Sequence, residues 1–85
     1  MKKYPGIHKL TEECGEVLQC IGKLGPFPKL PHPDGKGRVI DRLNEELTDL
    51  EAAIQYFRNT NNLDRIEERF LRKVTQFEDW GLTGI

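Results

Sequence analysis

Between Gly22 and Arg38 the sequence places four prolines, Pro26, Pro28, Pro31 and Pro33, and four glycines. Each proline removes a backbone donor and its ring clashes with the preceding helical turn, so neither a helix interior nor a central strand runs through this segment. The segment is a loop of about seventeen residues, longer than most connections in compact domains. It divides the chain into a stretch before it and a stretch after it, and the residues on each side decide what the two become.

Both stretches read as helix. From about Ile7 to Ile21, the apolar residues Ile7, Leu10, Cys14, Val17, Leu18 and Ile21 recur at steps of three and four, which is the rhythm of one helix face. A second helix is expected from Val39 to Arg58, on Val39 or Ile40, Leu43, Leu47, Leu50, Ala53, Ile54 and Phe57. The polar run Asn59-Thr60-Asn61-Asn62 ends it and offers N-caps for the next helix. That third helix is expected from Leu63 to Trp80, with Leu63, Ile66, Phe70, Val74 and Phe77 on one face and Gly81 as a C-cap. No segment alternates with the period of a strand. The fold class is all-α: a helical hairpin plus a third helix. With 85 residues, of which 36% are hydrophobic, one domain is expected and its core is thin for its surface. A multi-helix bundle completed by oligomerisation is therefore expected, as a homodimer or a homotetramer.

Within that periodicity, acids occupy places meant for leucine. Leu10, Glu13 and Val17 step by three and four, and so do Leu43, Glu46 and Leu50. A carboxylate on the packing face is unfavourable unless something positive meets it. By the same spacing Glu12 and Glu13 both reach Glu16, and Glu45 and Glu46 both reach Asp49; like charges so placed destabilise a helix. Two acidic sets on two neighbouring helices suit a hard divalent cation, which takes oxygen ligands and relieves the repulsion. Gly15 sits among these acids, where a missing side chain lets another helix or a ligand approach.

Charge excludes other classes. The 13 basic and 14 acidic side chains are interspersed and leave a formal net charge of −1, so neither nucleic acid nor a membrane surface is an expected partner. No apolar run has the length of a membrane span, and the opening Met-Lys-Lys-Tyr-Pro-Gly has no apolar signal stretch, so a cytoplasmic protein is expected. Cys14 and Cys20 have neither the spacing nor the histidine neighbours of a thiolate metal site and are expected as free thiols. The surroundings of Gly35-Lys36-Gly37 lack the spacing of a phosphate-binding loop. His8 and His32 pair with no candidate nucleophile.

Glu12-Glu13-Cys14-Gly15-Glu16, followed after the loop by Glu46-Leu47-Thr48-Asp49, resembles the E-E-x-x-E and E-x-x-D signature of MazG-like all-α nucleoside triphosphate pyrophosphohydrolases. The likeness extends from about Lys9 to Lys73. It implies Mg²⁺-dependent hydrolysis of a (deoxy)nucleoside triphosphate to the monophosphate and pyrophosphate, with Mn²⁺ as a possible substitute. It further implies Glu13, Glu16, Glu46 and Asp49 as metal ligands, and Glu12 as a carboxylate that supports them or activates water. Lys36 and Arg38 from the loop, and Arg72 and Lys73 from the third helix, are candidates for contacts with the outer phosphates. Trp80 is expected to pack, with base stacking as the other possibility. After Lys73 the sequence Val-Thr-Gln-Phe-Glu-Asp-Trp departs from the asparagine and arginine of many relatives. Two further readings stand beside this one: a phosphoribosyl-ATP pyrophosphohydrolase of the same fold, and a non-catalytic helical oligomer acting as an interaction module.

Overall fold

The computed structural model describes residues 4–23 and 38–82. It consists of α1 (Ile7–Gly22), α2 (Val39–Thr60) and α3 (Glu67–Leu82), with no strand among the described residues. The expected contribution of Lys36, like that of His32 and most of the proline-rich loop, lies outside the described residues.

Helices α1 and α2 pack as an antiparallel hairpin. At one end the Asn61 side-chain amide and the Thr60 hydroxyl donate to the Pro5 carbonyl oxygen, at 2.8 and 3.2 Å. At the other end the Cys20 thiol lies 3.9 Å from the carbonyl oxygen of Val39. Between these ends, Val17, Cys20 and Leu43 form the buried cluster, with Leu50 packed against it, and Ala53 and Val39 are buried nearby. The spacing of the α2 face is 39, 43, 46, 50 and 53. It therefore passes through Glu46, which is buried with the apolar residues. Ile7, Cys14, Leu18 and Ile21 share the helical rhythm of α1 but are exposed. The helix has room for one buried stripe, and Leu10, Val17 and Cys20 take it alongside the half-buried Glu13.

The entrance to α1 turns on Gly6, whose φ of +88° lies in the left-handed region, where a residue with a Cβ is strained. The Gly6 carbonyl accepts from the Leu10 N–H at 3.0 Å, so this residue is the pivot from which the helix starts. Tyr4, before it, stacks at a tilt on Phe57 with ring centroids 6.5 Å apart.

The polar run closes α2 as expected, at Thr60, and what differs from the sequence expectation is the start of α3. Asn62 takes a φ of +56°, and the Leu63 N–H reaches back to the Arg58 carbonyl at 2.9 Å. This is a Schellman closure with asparagine at the left-handed position. The asparagines thus close α2, and α3 starts only at Glu67, four residues after Leu63. Just before it, the Arg65 guanidinium forms a fork onto the Glu67 carboxylate, at 2.6 and 2.9 Å, and stacks 3.9 Å from the Phe70 ring centroid. Glu67 and Glu68 in the first turn favour the positive end of the helix dipole.

Among the described residues α3 makes no close backbone approach to α1 or α2, although Phe70 in its first turn borders a hollow lined by Thr48, Ala52 and Gln55 of α2. Its stripe of Ile66, Phe70, Val74 and Phe77 is exposed. Phe77 and Trp80 lean together with centroids 5.3 Å apart, so Trp80 packs on its own helix while remaining partly open.

Candidate metal centre

The antiparallel hairpin brings the two acidic segments side by side. Glu13 from α1 and Glu46 and Asp49 from α2 each offer a carboxylate oxygen, and these atoms all lie within 4.8 Å of one another. Burial falls across the trio: Glu46 is 7% exposed, Glu13 is half-buried and Asp49 is open to solvent. Two charged carboxylates at that separation repel by roughly 3 kcal/mol at an effective dielectric constant of about 20. An exposed lysine contributes at most about 1 kcal/mol to such a pair. A cation held among the three would relieve that repulsion.

Glu46 registers this crowding. Burial pushes its carboxyl above the ordinary value of 4.5, against the pull of Arg42, and the charges of Glu16, Asp49 and Glu13 push in the same upward direction. Glu16 is thus near enough to act on Glu46, although it is not one of the converging trio. It lines, with Gln19, Cys20, Lys23, Arg42 and Glu46, a recess of about 100 Å³. On the other flank, Glu13 and Asp49 share a shallow hollow with Lys9, Ala52, Ala53 and Tyr56.

The remaining expected residues lie elsewhere. Glu12 is 59% exposed and pairs with Lys9 at 3.4 Å. Arg38 immediately precedes α2 and makes a fork onto Asp41 at 2.8 and 3.0 Å. Lys73 is on α3, donating to the Gln76 side chain at 3.3 Å, and α3 makes no close backbone approach to the hairpin among the described residues. Within one chain, then, the hairpin gathers carboxylates and does not gather Arg38 or Lys73 around them.

Two cations outside the expected set do belong to the acidic cluster. Lys9 lies 3.6 Å from Glu13, and Arg42 lies 3.4 Å from Glu46. Their signal in the sequence is local: a basic residue three positions before each acid pair, a spacing that helices bring into contact.

The donor set fits a hard divalent ion. All donors are carboxylate oxygens, the ligand type that Mg²⁺, Mn²⁺ and Ca²⁺ prefer. Oxygens bound to one Mg²⁺ stand about 3 Å apart when adjacent and about 4.2 Å apart when opposite, so the three carboxylates would have to draw closer than the 4.8 Å limit within which they lie. Cys20 is buried beneath the recess with its thiol directed to a backbone carbonyl, and no thiolate joins the set.

Comparison of the chain with protein-family models, with curated proteins and with solved structures gave no match.

Proposed function

We propose that this chain is a Mg²⁺-dependent nucleoside triphosphate pyrophosphohydrolase that cleaves the bond between the α- and β-phosphates. The observation that carries the reading is the convergence of Glu13, Glu46 and Asp49 across two helices. It joins the two acidic motifs whose order and spacing resemble the MazG-like signature. In this proposal the trio holds the ion, with Glu16 at its rim. A bound divalent ion neutralises triphosphate charge and stabilises the leaving pyrophosphate. The protein's own part is to hold three carboxylates together on a rigid hairpin, with Glu46 fixed by burial and Asp49 open to the approaching substrate. Glu12, paired with Lys9 and turned to solvent, is not a group on which the proposal rests. The proposed setting is cytoplasmic; among the described residues no helix is long and apolar enough to cross a membrane.

The reading extends to a homodimer or homotetramer. The expected phosphate contacts Arg38 and Lys73 do not reach the cluster within one chain, and Lys9 and Arg42 are already paired with its acids, so a neighbouring chain's α3, with Arg72 and Lys73, is the proposed source. The test is incubation with a panel of nucleoside triphosphates and Mg²⁺, following monophosphate and pyrophosphate. Glu46→Gln and Asp49→Asn are expected to remove product while the helical circular dichroism persists.

The exposed stripe on α3 favours a second reading, a non-catalytic interaction module. It gains if no triphosphate is hydrolysed and the two acid variants are simply more stable than the parent.

A further inference from the structure

The two helices repeat more than their acids. Lys9-Leu10-Thr11-Glu12-Glu13-Cys14-Gly15-Glu16 on α1 and Arg42-Leu43-Asn44-Glu45-Glu46-Leu47-Thr48-Asp49 on α2 agree in type at the first, second, fourth, fifth and eighth places. In each copy the leading cation reaches two acids. Lys9 lies 3.4 Å from Glu12 and 3.6 Å from Glu13. Arg42 lies 2.8 Å from Glu45 and 3.4 Å from Glu46. The two acids of each copy differ in the same way. The side chains of the outer acids, Glu12 and Glu45, are 59% and 63% exposed, whereas those of the inner ones, Glu13 and Glu46, are 13% and 9% exposed. Because the helices run antiparallel, Lys9 stands at one end of the acidic cluster and Arg42 at the other.

We infer that Lys9 and Arg42, hydrogen-bonded to Glu12 and Glu45, also serve as counter-ions of the inner carboxylates, and that a divalent cation releases this second contact and leaves them on the outer acids alone. This rests on the reading of the trio as a divalent-cation site. The physical reason is charge balance under restricted burial. Without an ion, Glu13 and Glu46 need a positive neighbour, since enclosed like charges are unfavourable. With an ion present, a lysine or arginine left on the same carboxylates would repel it. Each side chain is long, flexible and at least one-third exposed, and it already touches the acid that would receive it. For Lys9, release of the inner contact needs only a change of side-chain rotamer, with the hydrogen bond to Glu12 kept. Lys9 and Arg42 are therefore positioning residues that set divalent-cation affinity, and Glu12 and Glu45 are their acceptors.

A double-mutant cycle in the full chain tests this, with Mn²⁺ alone as the probe and its binding followed by calorimetry or by the paramagnetic resonance of the free ion. Lys9→Met is expected to tighten Mn²⁺ binding about threefold and Arg42→Met by more, the exposed and the enclosed pair differing in that order. Glu12→Gln is expected to weaken binding by a similar factor in the parent and to have no effect in the Lys9→Met background. Simple through-space attraction gives instead the same loss in both backgrounds. Such additivity, or a Lys9→Met variant that binds no tighter, overturns the inference while leaving the metal site intact. Failure of the parent, Lys9→Met and Arg42→Met all to take up Mn²⁺ overturns both the inference and the metal reading beneath it. Lys9→Gln repeats the measurement should the methionine variant lose helicity.

Discussion

The Arg42 guanidinium stands 3.4 Å from the Glu46 carboxylate, one turn along the same helix, yet Glu46 holds its proton more tightly than a carboxyl in water. Burial outweighs the ion pair, and three neighbouring acids add to it. A raised native value means that the folded chain takes up this proton at a higher pH than the unfolded one does. The stability gained is complete below the ordinary value of 4.5 and is lost as pH rises through the raised native value. Glu46→Gln should lack this slope. At pH 7 it should melt above the parent. Melting curves from pH 4 to 8 check this, and a glutamine variant that melts lower at neutral pH contradicts it.

Leu43 and Leu18 look equivalent in the sequence periodicity and should behave differently. Leu43 is buried against Val17 and Cys20, whereas Leu18 is 69% exposed. Leu43→Ala is expected to remove about 2–3 kcal/mol of stability, and Leu18→Ala to stay within about 0.5 kcal/mol. Urea denaturation of both variants gives the comparison.

The start of α1 is held to the end of α2 by Asn61 and Gly6. A Cβ on Gly6 would come within 3.0 Å of the Tyr56 ring, and the residue's φ is positive. Gly6→Ala should therefore destabilise by about 1–2 kcal/mol, mainly through the left-handed backbone. Asn61→Ala removes the donor shared by the Pro5 and Phe57 carbonyls and should cost about 1 kcal/mol. Amide exchange at residues 7–10 should quicken in both variants.

Gly15 invites the opposite experiment. A Cβ there meets no atom of the described residues within 4 Å, and the position is inside a helix. Gly15→Ala should stabilise the isolated chain by about 1 kcal/mol. If the glycine serves close approach by a neighbouring chain or substrate, the same variant weakens association or nucleotide binding while raising the melting temperature of dilute protein.

Helix α3 leaves Phe70, Val74 and Phe77 uncovered, with Ile66 just before it, whereas most of a helix's stability comes from packing its apolar face. The chain should therefore sediment as an oligomer. Phe70→Ser with Phe77→Ser should shift it toward monomer and reduce its helical signal by up to the share of α3. A parent chain that stays monomeric at micromolar concentration would remove the oligomer from the proposal.

The division into helix, loop and helix is legible in the sequence, because proline chemistry and three-four spacing act over neighbouring residues. The places of Glu13 and Glu46 in the buried stripes are legible for the same reason. The start of α3 is not, because a polar run serves equally as N-cap and as C-cap. The left-handed turn at Asn62, closed by the bond from Leu63 to Arg58, uses it as the latter.

Only the tertiary structure selected Asp49, and not Glu16, to join Glu13 and Glu46. Periodicity fixes which face of a helix is apolar but leaves free how far one helix slides along the other. That offset is set by how Val17 and Cys20 seat against Leu43. A shift of one turn would have gathered a different set of acids from the same sequence.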